Sequence, residues 1–158
     1  SSQKKSDSFM GSDLSFEDMT NRELNEYTYK ILQEDLLCYK DNEDSDLSSI
    51  INSTQRCYLL ESRPIDKDSE YSKHITWVNK KSFLSLKEES YDKENKILKR
   101  KVIKYKKIDN YNIMNELFVE NVQKNHTTLL KINNIKINIG FSNDIFHTKT
   151  IKRMPKID

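Results

Sequence analysis

The sequence predicts a mainly β chain: one curved antiparallel sheet of about seven strands in up-and-down order, with short helices. Three observations predict it. From Tyr27 onward apolar and polar residues alternate with period two, not 3.6. Short polar segments such as "NKKS" and "DKEN" punctuate that alternation. Only one stretch, at Ser15, carries a helix-start signal. The 158 residues are read as a single domain, 1–158, long enough for a real core.

Taken in order, the helix comes first. Ser15, followed three residues on by Asp18 and then by Met19 and Leu24, makes a capping-box-like entry with Asp in place of Glu. The segments "YTYKILQEDLLCYK" and "RCYLLESRP" read as a strand pair, ended by Pro64. Between them, residues 41–55 ("DNEDSDLSSIINSTQ") are acidic and rich in Ser and Asn, which predicts an inserted, solvated hairpin loop. Cys38 and Cys57 stand near the two ends of that hairpin. They are candidates for a disulfide in an oxidising compartment, and two idle buried thiols are the other reading.

Next, "YSKHITWV" and "FLSLKEESY" flank the turn Asn79 to Ser82. A four-residue loop sets Trp77 opposite Leu84, Ile75 opposite Leu86 and Lys73 opposite Glu88. The same loop length at Asp92 to Asn95 sets Glu88 opposite Lys99 and Leu84 opposite Ile103. The expected result is one continuous apolar face through Ile75, Trp77, Leu84, Leu86 and Ile103. Two further alternating stretches, "IMNELFVENV" and "TTLLKINNIKINI", complete the meander.

Charged residues make up 33% of the chain and their signs nearly cancel, at net +2, so a strongly basic nucleic-acid binder is not indicated. No apolar run approaches the ~18–20 residues that cross a bilayer. His74, His126 and His147 share no metal-ligand spacing, no serine sits in a nucleophile elbow, and two glycines are too few for a phosphate cradle. No catalysis, cofactor or metal is expected. "KRKVIKYKK" (99–107) is the sole basic run. It reads as an exposed strand decorated with lysine rather than as a nucleic-acid stripe, because "EES" and "DKE" lie just upstream. The apolar face reads either as ordinary core or as the lining of a cavity for acyl chains.

The stretches "KSDSFMGSDLSFEDM", "YTYKIL", "CYLLESRPIDKDSEYSKHITWVNKKSFLSLKEESYDKENKILK", "YKKIDNYNI" and "INIGFSNDIFHTKTIKR" tip that balance. In this order and spacing the chain resembles the outer-membrane lipoprotein-sorting protein family, relatives of the periplasmic lipoprotein carrier LolA, from about Lys4 to Arg153. Phe9, Met10, Gly11, Asp13 and Gly140 occupy its motif positions, with structural roles. Phe9 and Met10 are expected as apolar anchors, and Gly11 at a turn a Cβ would hinder. Ser85 replaces a proline usual in the family, and Asn95 replaces a turn glycine whose left-handed conformation Asn tolerates.

The resemblance implies a LolA-like open half-barrel, α+β in the full family, of which this chain corresponds to the C-terminal part. It implies a carrier in the periplasm, peripheral to the membrane, that shields the acyl chains of a lipid or lipoprotein in transit to the outer membrane. An RND-type inner-membrane transporter is the suggested partner, and no nucleic acid. The alternative is an envelope-stress sensor or protein-interaction module on the same sheet.

Overall fold

A computed structural model describes residues 4–38 and 55–140. Helix α1 spans Phe16–Met19, and a single 3-10 turn follows at Leu24–Glu26. Seven strands come next: β1 (Tyr27–Leu37), β2 (Arg56–Pro64), β3 (Lys73–Asn79), β4 (Ser85–Tyr91), β5 (Ile97–Ile108), β6 (Tyr111–Asn121) and β7 (His126–Lys131). They form one antiparallel sheet in the order β1 to β7. The architecture is the expected mainly β meander, and it is open: among the described residues β1 and β7 each have one neighbouring strand. The predicted loop 41–55 lies, but for Gln55, outside the described residues.

Local chemistry accounts for the start of the chain. The Ser15 hydroxyl accepts from the Asp18 N–H at 3.3 Å, and the Asp18 carboxylate accepts from the Ser15 N–H at 2.9 Å, closing the predicted capping box. Before it, the chain folds back through a tight turn in which Ser12 N–H donates to the Phe9 carbonyl at 3.0 Å. Its two central residues, Met10 and Gly11, both have positive φ, at 50° and 75°. That is the signature of a primed turn, and it explains the glycine. No atom lies within 4 Å of a Cβ built on Gly11, so its conformation and not crowding is what requires glycine.

Strand registers differ from the expected ones, and turn lengths are the reason. Phe83 adopts φ 57° and the β3–β4 connection runs from Lys80 to Leu84, so Ile75 faces Glu89 and Trp77 faces Lys87. A bulge lies between the Trp77 and Val78 pairs. At the next turn Asn95 takes the left-handed conformation foreseen for it, φ 62°, within a five-residue connection. Glu88 therefore faces Lys101, and Lys99 faces Ser90. Lys73 is opposite Tyr91, and its amine sits 4.6 Å from that ring's centroid.

These registers sort the side chains into rows running across the sheet, because residues directly opposite share a face. On one face, here the inner face, the first row is Ser62, His74, Ser90, Lys99, Asn121 and His126 from β2 to β7. The second is Leu60, Thr76, Glu88, Lys101, Val119 and Thr128. A third holds Tyr58 and Val78 on β2 and β3, then Ile103, Leu117 and Leu130 on β5 to β7. Leu86, two residues from Glu88 at the bulge, shares their face by alternation.

The segment before β1 crosses this inner face as a strap, meeting the strands in reverse order. Asp13 accepts from the Thr128 hydroxyl of β7 at 2.6 Å. Leu14 packs with Leu117 and Val119 of β6 in the main apolar cluster, joined by Phe9, Ile103, Met114 and Leu130. Asp18 reaches Lys99 and Lys101 of β5, and Arg22 reaches Glu88 of β4. Tyr27 then stacks near His74 of β3, ring centroids 6.1 Å apart, as β1 begins. Cys38 and Cys57, both buried, form a disulfide that ties the end of β1 to the start of β2, with Cα atoms 5.1 Å apart.

Candidate functional site

Beneath the strap the first two rows carry buried charge. Lys99 and Lys101 are only 3% and 6% exposed. The Asp18 carboxylate accepts from Lys99 at 2.7 Å and from Lys101 at 2.5 Å, and the Tyr71 hydroxyl lies 3.0 Å from both its oxygens. Lys101 also reaches Glu88 at 3.1 Å, and Lys99 reaches Glu70 at 3.3 Å. Arg22 grips Glu88 with both terminal nitrogens, at 2.6 and 2.9 Å, the bidentate fork that suits a carboxylate. Three cations meet three carboxylates, so the buried charge is compensated.

Burial opposes ionisation of Asp18 and Glu88, but the neighbouring cations overcome it. Lys101 and Lys99 hold Asp18, and Lys101 and Arg22 hold Glu88, well below the usual carboxylate range. Burial pushes the Tyr71 hydroxyl up, and Asp18 adds to that push. His74 responds to burial in the opposite sense, falling to about 3, so its imidazole is neutral at pH 7. Its Nε2 is buried with no hydrogen-bond partner among the described residues.

His74, Ser90 and Glu88 lie together, yet they do not make a hydrolytic triad. Nδ1 of His74 faces both Ser90 Oγ, at 2.9 Å, and Glu88, at 3.6 Å, and the Ser90 hydroxyl donates to Glu88 at 3.3 Å. A triad needs the carboxylate on one ring nitrogen and the nucleophile on the other. Ser90 and His74 are also fully buried. Through Glu88, which accepts from Arg22, the cluster holds the strap to the sheet.

The third row is different: apolar and partly open. Tyr58, Val78, Leu86 and Ile103 are half-buried. The strap and its ion network form one wall. Tyr105, whose hydroxyl donates to the Ser85 carbonyl at 2.9 Å, and Lys80, 5.2 Å from the Tyr58 ring centroid, stand on the other side. At the β6 end the row is closed by Leu14 against Leu117. The result is a half-buried apolar row that crosses the sheet from Tyr58 on β2 to Ile103 on β5.

The apolar residues singled out in the sequence are divided by these registers. Leu86 and Ile103 lie on the inner face. Ile75 and Trp77 lie on the outer face, where Ile75 is buried opposite Glu89 and Lys87 Nζ sits 4.8 Å from the Trp77 ring. Leu84 belongs to the turn, its carbonyl accepting from Asn79 N–H at 2.9 Å. Of the motif positions, Phe9 packs edge-on against Phe16 with centroids 5.4 Å apart, and Asp13 is buried against Thr128 and His126. Met10 is 88% exposed and anchors nothing, because positive φ turns it outward. Gly140 has φ 66° in open space.

Sequence reasoning missed the buried network. It took Lys99 and Lys101 for exposed decoration, since lysines on alternate positions of a basic strand look solvated. Asp18 was read as a cap residue alone. It caps α1 and also neutralises two lysines, and no local pattern announces the second role.

Over residues 1–153 the chain matches the model of a family described as "Uncharacterized protein", and it belongs to that family. No curated protein matches it. Among solved structures it is similar to an outer membrane lipoprotein-sorting protein domain from Vibrio parahaemolyticus. That match has a TM-score of 0.78 and 29% identity over 97% of this chain and 60% of the other. It is also similar to a DUF1329 family protein from Desulfovibrio piger, with TM-score 0.76 and 28% identity over 94% of this chain and 57% of that one. A LolA superfamily protein from Nitrosomonas europaea shares the fold, with TM-score 0.65 and 19% identity over 92% of this chain and 60% of that one. The fold is thus LolA-like, and the chain spans about 60% of the length of the structures it matches.

Proposed function

We propose that this LolA-like chain is part of a periplasmic carrier that shields acyl chains of a lipid or lipoprotein on the way to the outer membrane. The observation that carries the reading is the half-buried apolar row of Tyr58, Val78, Leu86 and Ile103 on the inner face, beside the strap. Similarity to a lipoprotein-sorting domain supports it. Shielding needs no catalytic group: each methylene removed from water contributes about 0.8 kcal/mol. Among the described residues no helix is long and apolar enough to cross a membrane, which suits a carrier that works beside the bilayer. The RND-type transporter has no support in these comparisons and is no part of the proposal.

The open edge of β1 favours a second reading, a module that binds protein by adding a strand to the sheet. Native mass spectrometry of the protein purified from a periplasmic extract separates the two. Co-purifying lipid or acylated peptide is the result expected of a carrier. A bare mass that ignores added lipid but shifts with an unacylated peptide would replace it with the second reading.

A further inference from the structure

The fold splits the basic run of the sequence, residues 99–107. Lys99 and Lys101 lie buried under the strap, whereas Lys106 and Lys107 are exposed. They stand where β5 has left most of the sheet behind. Ladder pairs from β5 to β4 stop at Val102, and those from β6 to β7 stop at Glu116. Beyond them Tyr105–Ile108 and Tyr111–Met114 pair only with each other among the described strands. The β5–β6 hairpin thus carries its turn past its neighbours. Ile108 lies about 10 Å further along β5 than Tyr105, whose hydroxyl meets Ser85 at the start of β4.

At the tip Ile108 faces Tyr111, which is 55% exposed. The β3–β4 turn opens at this same end, because connections in an antiparallel meander alternate between the two ends of the sheet. It presents Phe83, 71% exposed at φ 57°, where a phenylalanine costs stability and gains no packing. Lys81, like Lys106 and Lys107, has no ion-pair partner among the described residues. Asp109 shares the tip, while Asp35 and Glu116 already hold Lys80 and Lys104.

The opposite end also exposes apolar side chains, Leu24 and Ile65 among them, but sets them beside Glu23, Glu26, Asp66 and Asp68. Aromatic tips beside unpaired lysines suit an anionic bilayer. The rings settle at headgroup depth while the ammonium groups attract lipid phosphates. Residues 41–46 bring four carboxylates into the connection that leaves β1 at this end. They offset part of that attraction, so the rings are needed as well as the charge.

We propose that this end of the sheet is a membrane-docking edge. Tyr111 and Phe83 seat at the headgroup level of a bilayer containing anionic phospholipid, with Lys81, Lys106 and Lys107 over its phosphates. Docking goes beyond the carrier reading and does not depend on it. Vesicle binding by a chain that holds no lipid leaves docking intact, and co-purifying lipid without vesicle binding leaves only the carrier.

Sedimentation of the 158-residue protein with sucrose-loaded vesicles tests it. Expected is binding to vesicles of phosphatidylethanolamine and phosphatidylglycerol, weakened about tenfold or more by 0.5 M salt. Binding to phosphatidylcholine alone should be weaker by about the same factor. A lysine near the surface changes partitioning about fivefold, so Lys106→Gln with Lys107→Gln should weaken binding roughly tenfold or more. Phe83→Asn and Tyr111→Ser should each weaken it about threefold or more. Phe83→Asn relieves the strain at φ 57°, so its loss of binding does not come from misfolding. Met10→Asn, at the far end, should bind as the parent does. No binding to the anionic vesicles, or binding untouched by the variants at Lys106, Lys107, Phe83 and Tyr111, would overturn the docking edge. So would binding that needs the lysines but ignores Phe83→Asn and Tyr111→Ser, or that a single-stranded oligonucleotide competes away. Either result marks a general polyanion site.

Discussion

Asp18 lies 2.7 Å from Lys99 although 81 residues separate them, and the same carboxylate takes Lys101 at 2.5 Å. A residue of the four-residue helix α1 thus neutralises two lysines of β5 beneath the strap. Removing Asp18 alone leaves two buried ammonium groups short of their nearest counter-charge. Asp18→Asn is expected to cost about 3–5 kcal/mol of unfolding free energy, read from urea midpoints. Replacing the cluster with apolar residues (Asp18→Leu, Lys99→Met and Lys101→Met together) should cost far less, since no unpaired charge remains. A triple variant as unstable as Asp18→Asn would show that the charges themselves hold the strap.

Three buried groups make the protein acid-labile, each with the same sign. Asp18 and Glu88 are held well below their usual range in the fold, so their contribution is full above the unfolded carboxylate range and is lost as pH falls. His74, at about 3 when folded, releases its proton on folding anywhere between that value and its ordinary 6.5. In that window the unfolded chain binds more protons, so stability rises with pH. Urea midpoints should therefore fall steadily from pH 7 to pH 4. His74→Leu is expected to flatten the slope between pH 6.5 and 4.5, and an unchanged slope would mean that His74 is protonated in the fold.

Two exposed residues sit in a conformation that suits neither. Met10 has φ 50° and Phe83 has φ 57°, and both side chains stand mostly in solvent. The left-handed region costs a side chain roughly 1–2 kcal/mol, less for Asn. Met10→Asn and Phe83→Asn should each raise stability by up to ~1 kcal/mol, visible as a higher thermal midpoint. Phe83→Val, β-branched at the same φ, should lower it.

The disulfide closes a separation of 19 residues around the β1–β2 connection. Losing such a cross-link costs about 3 kcal/mol, chiefly by freeing the unfolded chain. The Cys38→Ser, Cys57→Ser pair is expected to show that loss in urea. Hydrogen exchange should report it first in β1, which is exposed along most of its length.

Seven strands in sequential order, their antiparallel sense and the Ser15–Asp18 capping box were legible in the sequence because each is local: a period of two, a polar turn, a spacing of three. Asn95 at a left-handed turn was legible for the same reason. The registers were not. They depend on how many residues each turn consumes, and a phenylalanine at positive φ gives no warning that it lengthens one. A slip of that kind moved Ile75 and Trp77 to the face opposite Leu86 and Ile103, since alternate residues on a strand point to opposite sides.

By itself the sequence determined the kind of fold, the number of strands and the family that its motifs resemble. Tertiary structure decided which face the strap covers, that Lys99 and Lys101 are buried, and that one apolar row remains half open. Those outcomes rest on contacts between residues 60 to 115 positions apart, such as Arg22 with Glu88 or Asp13 with Thr128. Such pairings are set by the summed geometry of every turn between them. Local pattern fixes neither a turn's length nor a lysine's buried partner, and here those two things decide which side chains share the inner face.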